Sequence, residues 1–272
     1  MKEPNRQTEP AGRLTTSDFW DSCYKGRVSA PFNDSDWRNY SSIQLVRLIE
    51  LMQLGKKNIC EVGGGDAEIT AYLAKKYHNS DFSVIDFSPL GCELARRRAL
   101  AENVEITIHQ ADVFSPPKEL LGNFDAVISL GVVEHFANLS DILQAKRRLI
   151  RDDGIIFTSI PNFSSPVYAG LCKRWSLTVF EDHVPHSMAS FIEGHEKAGL
   201  EIVEKGYVSA VEFSMLSMAM SGPEPKSSID RVVFLWLTRL SKLIHLFEHR
   251  FFDLPSSYYF SPFLYAVSKK AA

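Results

Sequence analysis

Cysteine clusters, long apolar runs and an excess of either charge are all missing from this sequence. Its 4 cysteines are widely spaced and form no CxxC pair, which argues against a zinc ribbon or a thioredoxin-like redox site. The longest uninterrupted apolar run, residues 232–237, is far shorter than the roughly 20 residues that cross a bilayer. With 30 basic and 33 acidic side chains, the net charge of −3 offers no basic field for nucleic acid.

The amino terminus also lacks the apolar segment of a secretory signal, because residues 1–18 are polar. Few cysteines and no signal together predict a cytoplasmic protein. The remaining composition, 45% apolar and 23% charged, is typical of globular proteins and excludes a disordered or fibrous chain. A chain of this length can bury a full hydrophobic core.

Apolar segments of strand character alternate with segments of helical periodicity from residue 58 onward. Continuous apolar strands separated by helices are typical of a parallel sheet covered by helices on both faces. We therefore predict a doubly wound, Rossmann-like α/β fold with a seven-stranded, mostly parallel sheet. The predicted strands are residues 59–62, 82–86, 104–109, 124–130, 154–160, 200–208 and 263–268.

Four regions are predicted around this sheet. Residues 1–17 are expected to be a disordered tail, because they are rich in proline, threonine and charge. Residues 18–53 are expected to form a helical cap with many aromatic side chains. The sheet itself comes from residues 54–208 and 263–270, and residues 209–262 are a helical insertion before the last strand, acting as a lid or an interface.

A glycine-rich turn, EVGGGDA at residues 61–67, joins the first predicted strand to a helix. Glycines let the backbone turn tightly and approach a ligand closely. No Lys-Ser/Thr pair follows, so a P-loop is excluded. A dinucleotide fingerprint needs glycine at position 68, where Glu68 would face a pyrophosphate at the helix N-terminus. The acidic turn suits a ligand that lacks phosphates and carries positive charge.

Four motifs, in this order, resemble those of the class I S-adenosylmethionine-dependent methyltransferases. The first is an acidic residue followed by Gly-x-Gly-x-Gly, and here Ala67 replaces the third glycine. The second is an acidic residue that closes strand two, Asp86 in VIDFS, and the third is Asp112 after strand three. The fourth is strand four with its turn, FDAVISLGVVEHF. The resemblance covers about residues 54–208 and the last strand, which it implies to be antiparallel.

The resemblance implies that the cofactor is S-adenosylmethionine and that S-adenosylhomocysteine is the product. Asp86 would accept hydrogen bonds from both ribose hydroxyls and Asp112 from the adenine amino group, since carboxylates offer several lone pairs. Phe87 would pack against the adenine, and the glycines would admit the methionine portion. The cofactor-binding residues expected on this basis are Glu61, Gly63, Gly65, Asp86, Phe87, Asp112, Val113 and Leu130.

Methyl transfer to a hydroxyl is helped by a general base. The candidates are His135, after strand four, and His183 or His186 in the EDHVPH segment after strand five. Asn162, at the end of strand five, would face the acceptor. Each of these side chains could instead line the pocket or hold a loop. We take His135 and His183 as the candidate catalytic residues, and we expect no metal site.

The insertion contains a basic amphipathic helix, predicted over residues 229–252. Its broad apolar face has three interpretations: a lid packed on the core, a peripheral membrane contact, or a homodimer interface. A lid requires four of its side chains to be buried against the protein, whereas lipid contact requires them to be exposed. These side chains are Trp236, Leu240, Leu243 and Phe247.

These expectations combine into one functional hypothesis. The protein transfers a methyl group to a small or medium-sized acceptor, with oxygen favoured over nitrogen or carbon, in sugar, quinone or secondary metabolism. Nucleic acid is not an expected partner. Two alternatives stay open: a nicotinamide-dependent oxidoreductase, which Glu68 disfavours, and a non-catalytic cofactor-binding module on the same fold.

Overall fold

Seven strands form one sheet in the computed structural model, which describes residues 12–26 and 30–271. Their order is β3-β2-β1-β4-β5-β7-β6, and β7 is antiparallel to both neighbours while the other pairs are parallel. This confirms the predicted Rossmann-like class and the antiparallel last strand. The strands are β1 Asn58–Val62, β2 Asp81–Asp86, β3 Thr107–Gln110, β4 Phe124–Leu130, β5 Ile150–Pro161, β6 Leu200–Val208 and β7 Phe263–Lys270.

Helices cover both faces of the sheet. Short 3-10 helices lie at Trp37–Asn39, Lys118–Leu120, Val133–His135 and Phe213–Leu216. The α-helices within the described ranges are α1 Ser17–Tyr24, α2 Tyr40–Glu50, α3 Glu68–Lys76, α4 Pro89–Glu102, α5 Leu139–Arg147, α6 Pro166–Trp175, α7 Leu177–Glu181, α8 Met188–Lys197, α9 Ser217–Ser221 and α10 Ser228–Arg250. We did not predict α6, α7 and α9 from the sequence, and α7 and α9, with 5 residues each, carry too few turns for a periodic signal.

The amino-terminal region differs from its prediction in two ways. The helical cap is broken between α1 and α2, since Gly26 adopts a φ of 74° and Pro31 follows soon after. Part of the expected disordered tail is ordered. Arg13 forms an isolated antiparallel β-bridge with Phe136, and the Leu14 amide donates to the His135 carbonyl at 2.8 Å. Residues 1–11, the rest of that tail, and residues 27–29 lie outside the described residues.

The central strands hold the main core. Their side chains are apolar in succession because both faces are covered, and Cys60 and Ile128 are almost completely buried. β1 lies between β2 and β4. The connection after β1 therefore runs toward one edge of the sheet, and the connection after β4 runs toward the other edge. Such a switch point opens a crevice at the carboxyl ends of the strands, where ligands of open α/β sheets bind.

The insertion before β7 forms a smaller second core. Phe234, Leu237 and Ile244 on one side of α10 pack against a buried cluster that includes Trp175 and Phe213. The lid interpretation, which requires Trp236, Leu240, Leu243 and Phe247 to be buried, is wrong, because all four side chains are exposed. Their exposed fractions are 63% for Trp236, 47% for Leu240, 66% for Leu243 and 38% for Phe247.

Candidate functional site

A cavity of about 990 Å³ opens at the carboxyl ends of β1, β2 and β4. The glycine turn and the motif carboxylates form one part of its wall. Trp20 and Tyr24 of α1 form another, and Met215 and Met218 of the insertion a third. The cavity therefore joins the sheet edge that carries the motif residues to two elements outside the sheet. All eight predicted cofactor-binding residues and His135 line it, whereas His183 is not among its lining residues.

The glycine turn brings its backbone against neighbouring side chains. Gly63 and Gly65 adopt φ values of 72° and 52°, a region that L-residues with side chains avoid. A Cβ on Gly63 would lie 2.5 Å from Val132, and one on Gly65 would lie 2.5 Å from the Tyr24 hydroxyl. Ala67, in place of the third glycine, also has a positive φ of 54° and caps α3. Because Gly63 and Gly65 have no side chains, the backbone of the turn leaves space for a ligand in the cavity.

Asp86 ends β2 with its carboxylate turned toward the glycine turn. Its two oxygens accept hydrogen bonds from the backbone amides of Gly65 and Ser88, both at 2.8 Å. Burial raises the pKa of this carboxyl, and these amides partly offset that effect. A carboxylate has about four lone-pair sites, so Asp86 keeps capacity to accept from a hydroxyl of a ligand.

Asp112 is held by a residue that we had assigned to the tail. Nη2 of Arg13 donates to both Asp112 oxygens, at 2.9 and 2.8 Å. The same guanidinium lies 4.5 Å from the centre of the Phe87 ring, a distance typical of a cation–π contact. Arg13 therefore contacts two of the residues that were expected to lie at the adenine, Asp112 and Phe87.

Glu61 lies at the end of β1 and is 6% exposed. One oxygen accepts a hydrogen bond from the Thr70 hydroxyl of α3. Burial raises the pKa of Glu61 to about 7, and the charges of Asp66 and Asp86 act in the same direction. Asp66 and Glu68 also line the cavity, so this end of the site is strongly acidic and favours a cationic ligand.

His135 and His183 lie side by side, with ring centroids 4.5 Å apart. In each ring Nδ1 contacts a backbone carbonyl at 2.7 Å, that of Asp182 for His135 and that of Val179 for His183. Because a carbonyl only accepts, Nδ1 carries the proton and Nε2 keeps its lone pair. Burial lowers the pKa of His135 to about 3 and lowers that of His183, so both rings are neutral bases at pH 7.

Glu134 completes a cluster of three donors with these histidines. One ligand atom from each side chain lies within 4.8 Å of the others, and the Glu134 and His135 pair is separated by 3.9 Å. Burial raises the pKa of Glu134 to about 8. Two imidazole nitrogens and a carboxylate form a donor set that divalent transition metals accept. The cluster could hold such an ion, which the sequence analysis did not expect.

Two further candidates, Asn162 and His186, are not among the residues that line the cavity. Asn162 is fully buried, and its amide donates to the carbonyls of Tyr258 and Ser261 at 2.8 and 2.9 Å. It therefore holds the chain before β7 and does not face an acceptor. His186 is buried and is not among the residues that line the cavity.

Sequence reasoning missed the residues that the cavity takes from outside the motifs. Trp20 packs edge-to-face against His135, with centroids 5.1 Å apart. Tyr24 lies on Gly65, and Met215 and Met218 come from the insertion. The heavy aromatic content of α1 was the one available signal, since side chains that meet only through tertiary packing leave no mark in local spacing.

The donor set fits S-adenosylmethionine. Its ribose hydroxyls match the free acceptor sites of Asp86, and its sulfonium and ammonium charges match the acidic end near Glu61. Gly63 and Gly65 leave room for the ligand, because a Cβ on either residue would collide with Val132 or Tyr24 in the wall of the site. A pyrophosphate fits less well, because Glu68 begins α3 and lines the cavity.

Comparison with known proteins points in the same direction. Residues 60–156 match the family model of a methyltransferase domain. A ubiquinone biosynthesis O-methyltransferase from Azotobacter vinelandii is 26% identical over 119 residues, which are 44% of this chain and 50% of that protein. The chain thus spans about half the length of this curated relative.

Solved structures share the fold at low sequence identity. That of the [4+2]-cyclase SpnF is 13% identical with a TM-score of 0.61, and the match covers 98% of this chain and 100% of that one. Coclaurine N-methyltransferase, bound to N-methylheliamine and S-adenosylhomocysteine, is 14% identical with a TM-score of 0.58, covering 84% of this chain and 70% of that one. These likenesses establish the fold. With the matched domain over residues 60–156 and the motifs in order along β1 to β4, the chain is similar to the class I S-adenosylmethionine-dependent methyltransferases.

Proposed function

We propose that this protein transfers a methyl group from S-adenosylmethionine to an oxygen atom of a small or medium-sized, largely apolar acceptor. The observation that carries the proposal is that one cavity joins the motif carboxylates to a neutral, buried histidine. When bound, the cofactor supplies an electrophilic methyl group on a sulfonium. The protein therefore needs to bind, orient and deprotonate the acceptor.

Asp86, Asp112 and Glu61 bind the cofactor in this proposal. Asp86 accepts from the ribose hydroxyls while its Gly65 and Ser88 bonds fix the carboxylate. Asp112 accepts from the adenine amino group, with Phe87 and Val113 beside the ring. The acidic end near Glu61 attracts the positively charged methionine portion.

His135 acts on the acceptor. Its Nε2 accepts the proton of the acceptor hydroxyl, and its Nδ1–H bond to the Asp182 carbonyl holds the ring in that tautomer. His183 packs against His135 and against Phe163, whose ring centroid lies 4.9 Å away. We therefore assign His135 as the base and His183 as a residue that positions it.

The acceptor lies against Trp20, Met215 and Met218 in this proposal, because these apolar side chains line the cavity and come from elements other than the motif strands. The O-methyltransferase relative acts, by its name, in ubiquinone biosynthesis, which fits an acceptor with a flat ring. The choice of oxygen over nitrogen rests on the need for a base, since a hydroxyl must lose its proton during transfer. The cytoplasmic location expected from the sequence stays a prediction.

Titration calorimetry with S-adenosylhomocysteine and with NAD tests the cofactor. We expect binding of the first and none of the second, because the acidic turn opposes a pyrophosphate. Incubation with labelled S-adenosylmethionine and a panel of phenols, sugars and amines then tests the acceptor atom. Cofactor binding without transfer to any hydroxyl, but with transfer to an amine, would contradict O-methylation and keep the family assignment.

A further inference from the structure

The outward face of α10 carries a long run of exposed apolar side chains. The functional site described above does not explain them. Ile229, Trp236, Leu240, Leu243 and Phe247 recur at intervals of seven, four, three and four residues, so they form one stripe along the helix. All five are exposed. Large exposed apolar patches on soluble proteins mark surfaces that meet another molecule.

Hydrogen bonds on the inner face fix this orientation of α10. The Ser241 hydroxyl accepts from the Phe213 amide at 2.9 Å, and Nε2 of His245 donates to the Val211 carbonyl at 2.9 Å. At the start of the helix, Asp230 accepts from Arg174 and Trp175. Rotating the helix to bury Trp236 would break these buried bonds, so the stripe faces outward as a built feature.

The charges on this face have one sign. Arg239 and Arg250 are exposed beside the stripe, whereas the two carboxylates of α10, Asp230 and Glu248, are both buried. Arg239 lies over Trp236, with 5.5 Å from the guanidinium carbon to the ring centre. Apolar side chains bordered by cations and aromatic rings are the pattern of a helix that lies in the plane of a membrane surface.

The aromatic content continues past the end of the helix. Phe251 and Phe252 follow α10, and their ring centroids lie 5.1 and 5.2 Å from that of Phe247. Both are more than 60% exposed, at 67% and 62%. Among residues 12–26 and 30–271, no helix is long and apolar enough to span a bilayer, so contact through this face would lie along the surface.

We infer that the outward face of α10 docks the protein on an anionic lipid surface. A second copy of the chain is the rival occupant, but a two-fold pairing would bring this face against itself. Arg239 and Arg250 would then meet the same arginines of the second copy, and α10 exposes no carboxylate to pair with them, whereas anionic lipid headgroups complement them. The apolar stripe would enter the boundary between headgroups and acyl chains.

This inference goes beyond the proposed reaction and connects with it. Met215 and Met218, which line the cavity, belong to the segment that packs against the inner side of α10. Docking would therefore place α10 between the lipid surface and this wall of the cavity, so that lipid contact could change the position of the segment that lines the acceptor side.

Co-sedimentation of the full chain with vesicles tests the docking. We expect binding to vesicles of equimolar phosphatidylglycerol and phosphatidylcholine at low salt, and weaker binding at high salt or to phosphatidylcholine alone. Trp236→Ser or Leu243→Ser should lower the partition coefficient about tenfold each, since each removes an apolar side chain from lipid. Arg239→Gln should lower it about fivefold.

Two control variants match these changes elsewhere on the surface. Leu100→Ser and Arg96→Gln replace exposed residues of α4, and we expect both to leave vesicle binding unchanged. Absence of vesicle binding at low salt would overturn the inference. So would a homodimer in light scattering that Trp236→Ser dissociates while vesicles are ignored, which would assign the face to a second copy.

Titration with S-adenosylhomocysteine on the same samples separates the two proposals. If the cofactor binds and vesicles do not, docking is wrong and the proposed reaction is untouched. If vesicles bind and the cofactor does not, the proposed reaction fails while the docking surface holds. The variants on α10 are remote from the motif residues, so cofactor affinity should stay unchanged in all of them.

Discussion

Arg13 and Asp112 form a bidentate ion pair across 99 residues of chain, with one guanidinium nitrogen bonded to both carboxylate oxygens. The Arg13 side chain is only 7% exposed, and its guanidinium lies over Phe87. In the proposed complex, Asp112 and Phe87 contact the adenine. The amino-terminal segment before α1 therefore lies where the adenine would bind and must yield at least part of that contact.

Arg13→Ala should tighten the binding of S-adenosylhomocysteine about three- to tenfold, since the ligand would no longer compete with Arg13 for Asp112. Calorimetry measures this change directly. Arg97→Ala, which removes an exposed ion pair with Glu93 on α4, is the matched control and should have no effect. Weaker binding by Arg13→Ala would mean that Arg13 supports the bound adenine and does not compete with it.

Asp86→Asn should weaken S-adenosylhomocysteine binding about 10- to 150-fold, because a charged hydrogen-bond acceptor contributes roughly 1.5–3 kcal/mol. Asparagine keeps one oxygen for the Gly65 or Ser88 amide, so the fold should persist in circular dichroism. Asp81→Asn, at the exposed opposite end of β2, serves as the control. Equal affinity of the Asp86 variant and the parent protein would remove the ribose assignment.

His135→Gln should lower kcat about 10²-fold with cofactor affinity retained, the lower end of the range for a general base, because a base with a pKa far below the working pH is weak. The low pKa of His135, about 3, predicts that kcat has no histidine step between pH 5 and 8. His183→Gln should have the smaller effect, and exposed His78→Gln none. A loss of only a few-fold in the His135 variant would show that positioning alone drives the transfer.

Glu61 should make the cofactor-free protein less stable at higher pH. Its pKa is raised from 4.5 to about 7 in the folded state, so its favourable contribution is complete below pH 4.5 and is lost as pH rises through 7. Between pH 5 and 8, the parent protein should lose roughly 2–3 kcal/mol of unfolding free energy relative to Glu61→Gln. Urea titrations at both pH values measure this difference.

A pH-independent difference between the Glu61→Gln variant and the parent would contradict the raised pKa. Glu50→Gln is the control that tests whether burial of Glu61 causes the pH dependence of the unfolding free energy. The Glu50 carboxylate forms an ion pair with Lys76 near the surface. We expect this control to show a pH dependence like that of the parent protein.

Local patterns in the sequence predicted the sheet well. The predicted span of β4 agrees with the structure, and those of β2 and β6 agree within a residue, because buried parallel strands are continuous apolar runs bounded by glycine and polar residues. β3 begins at Thr107 and not at the predicted residue 104. The alternation of apolar and polar side chains starts before the first residue that pairs with β2, so the prediction began too early.

The sequence by itself determined the fold class and the motif residues, because glycine turns and strand-end carboxylates are encoded within a few positions of one another. Only the tertiary structure brought Arg13 to Asp112, placed His183 behind His135 and fixed which face of α10 is exposed. These contacts join segments that are far apart in the chain, so no spacing encodes them. They depend on how α1 and the insertion pack, and packing is decided by the whole core.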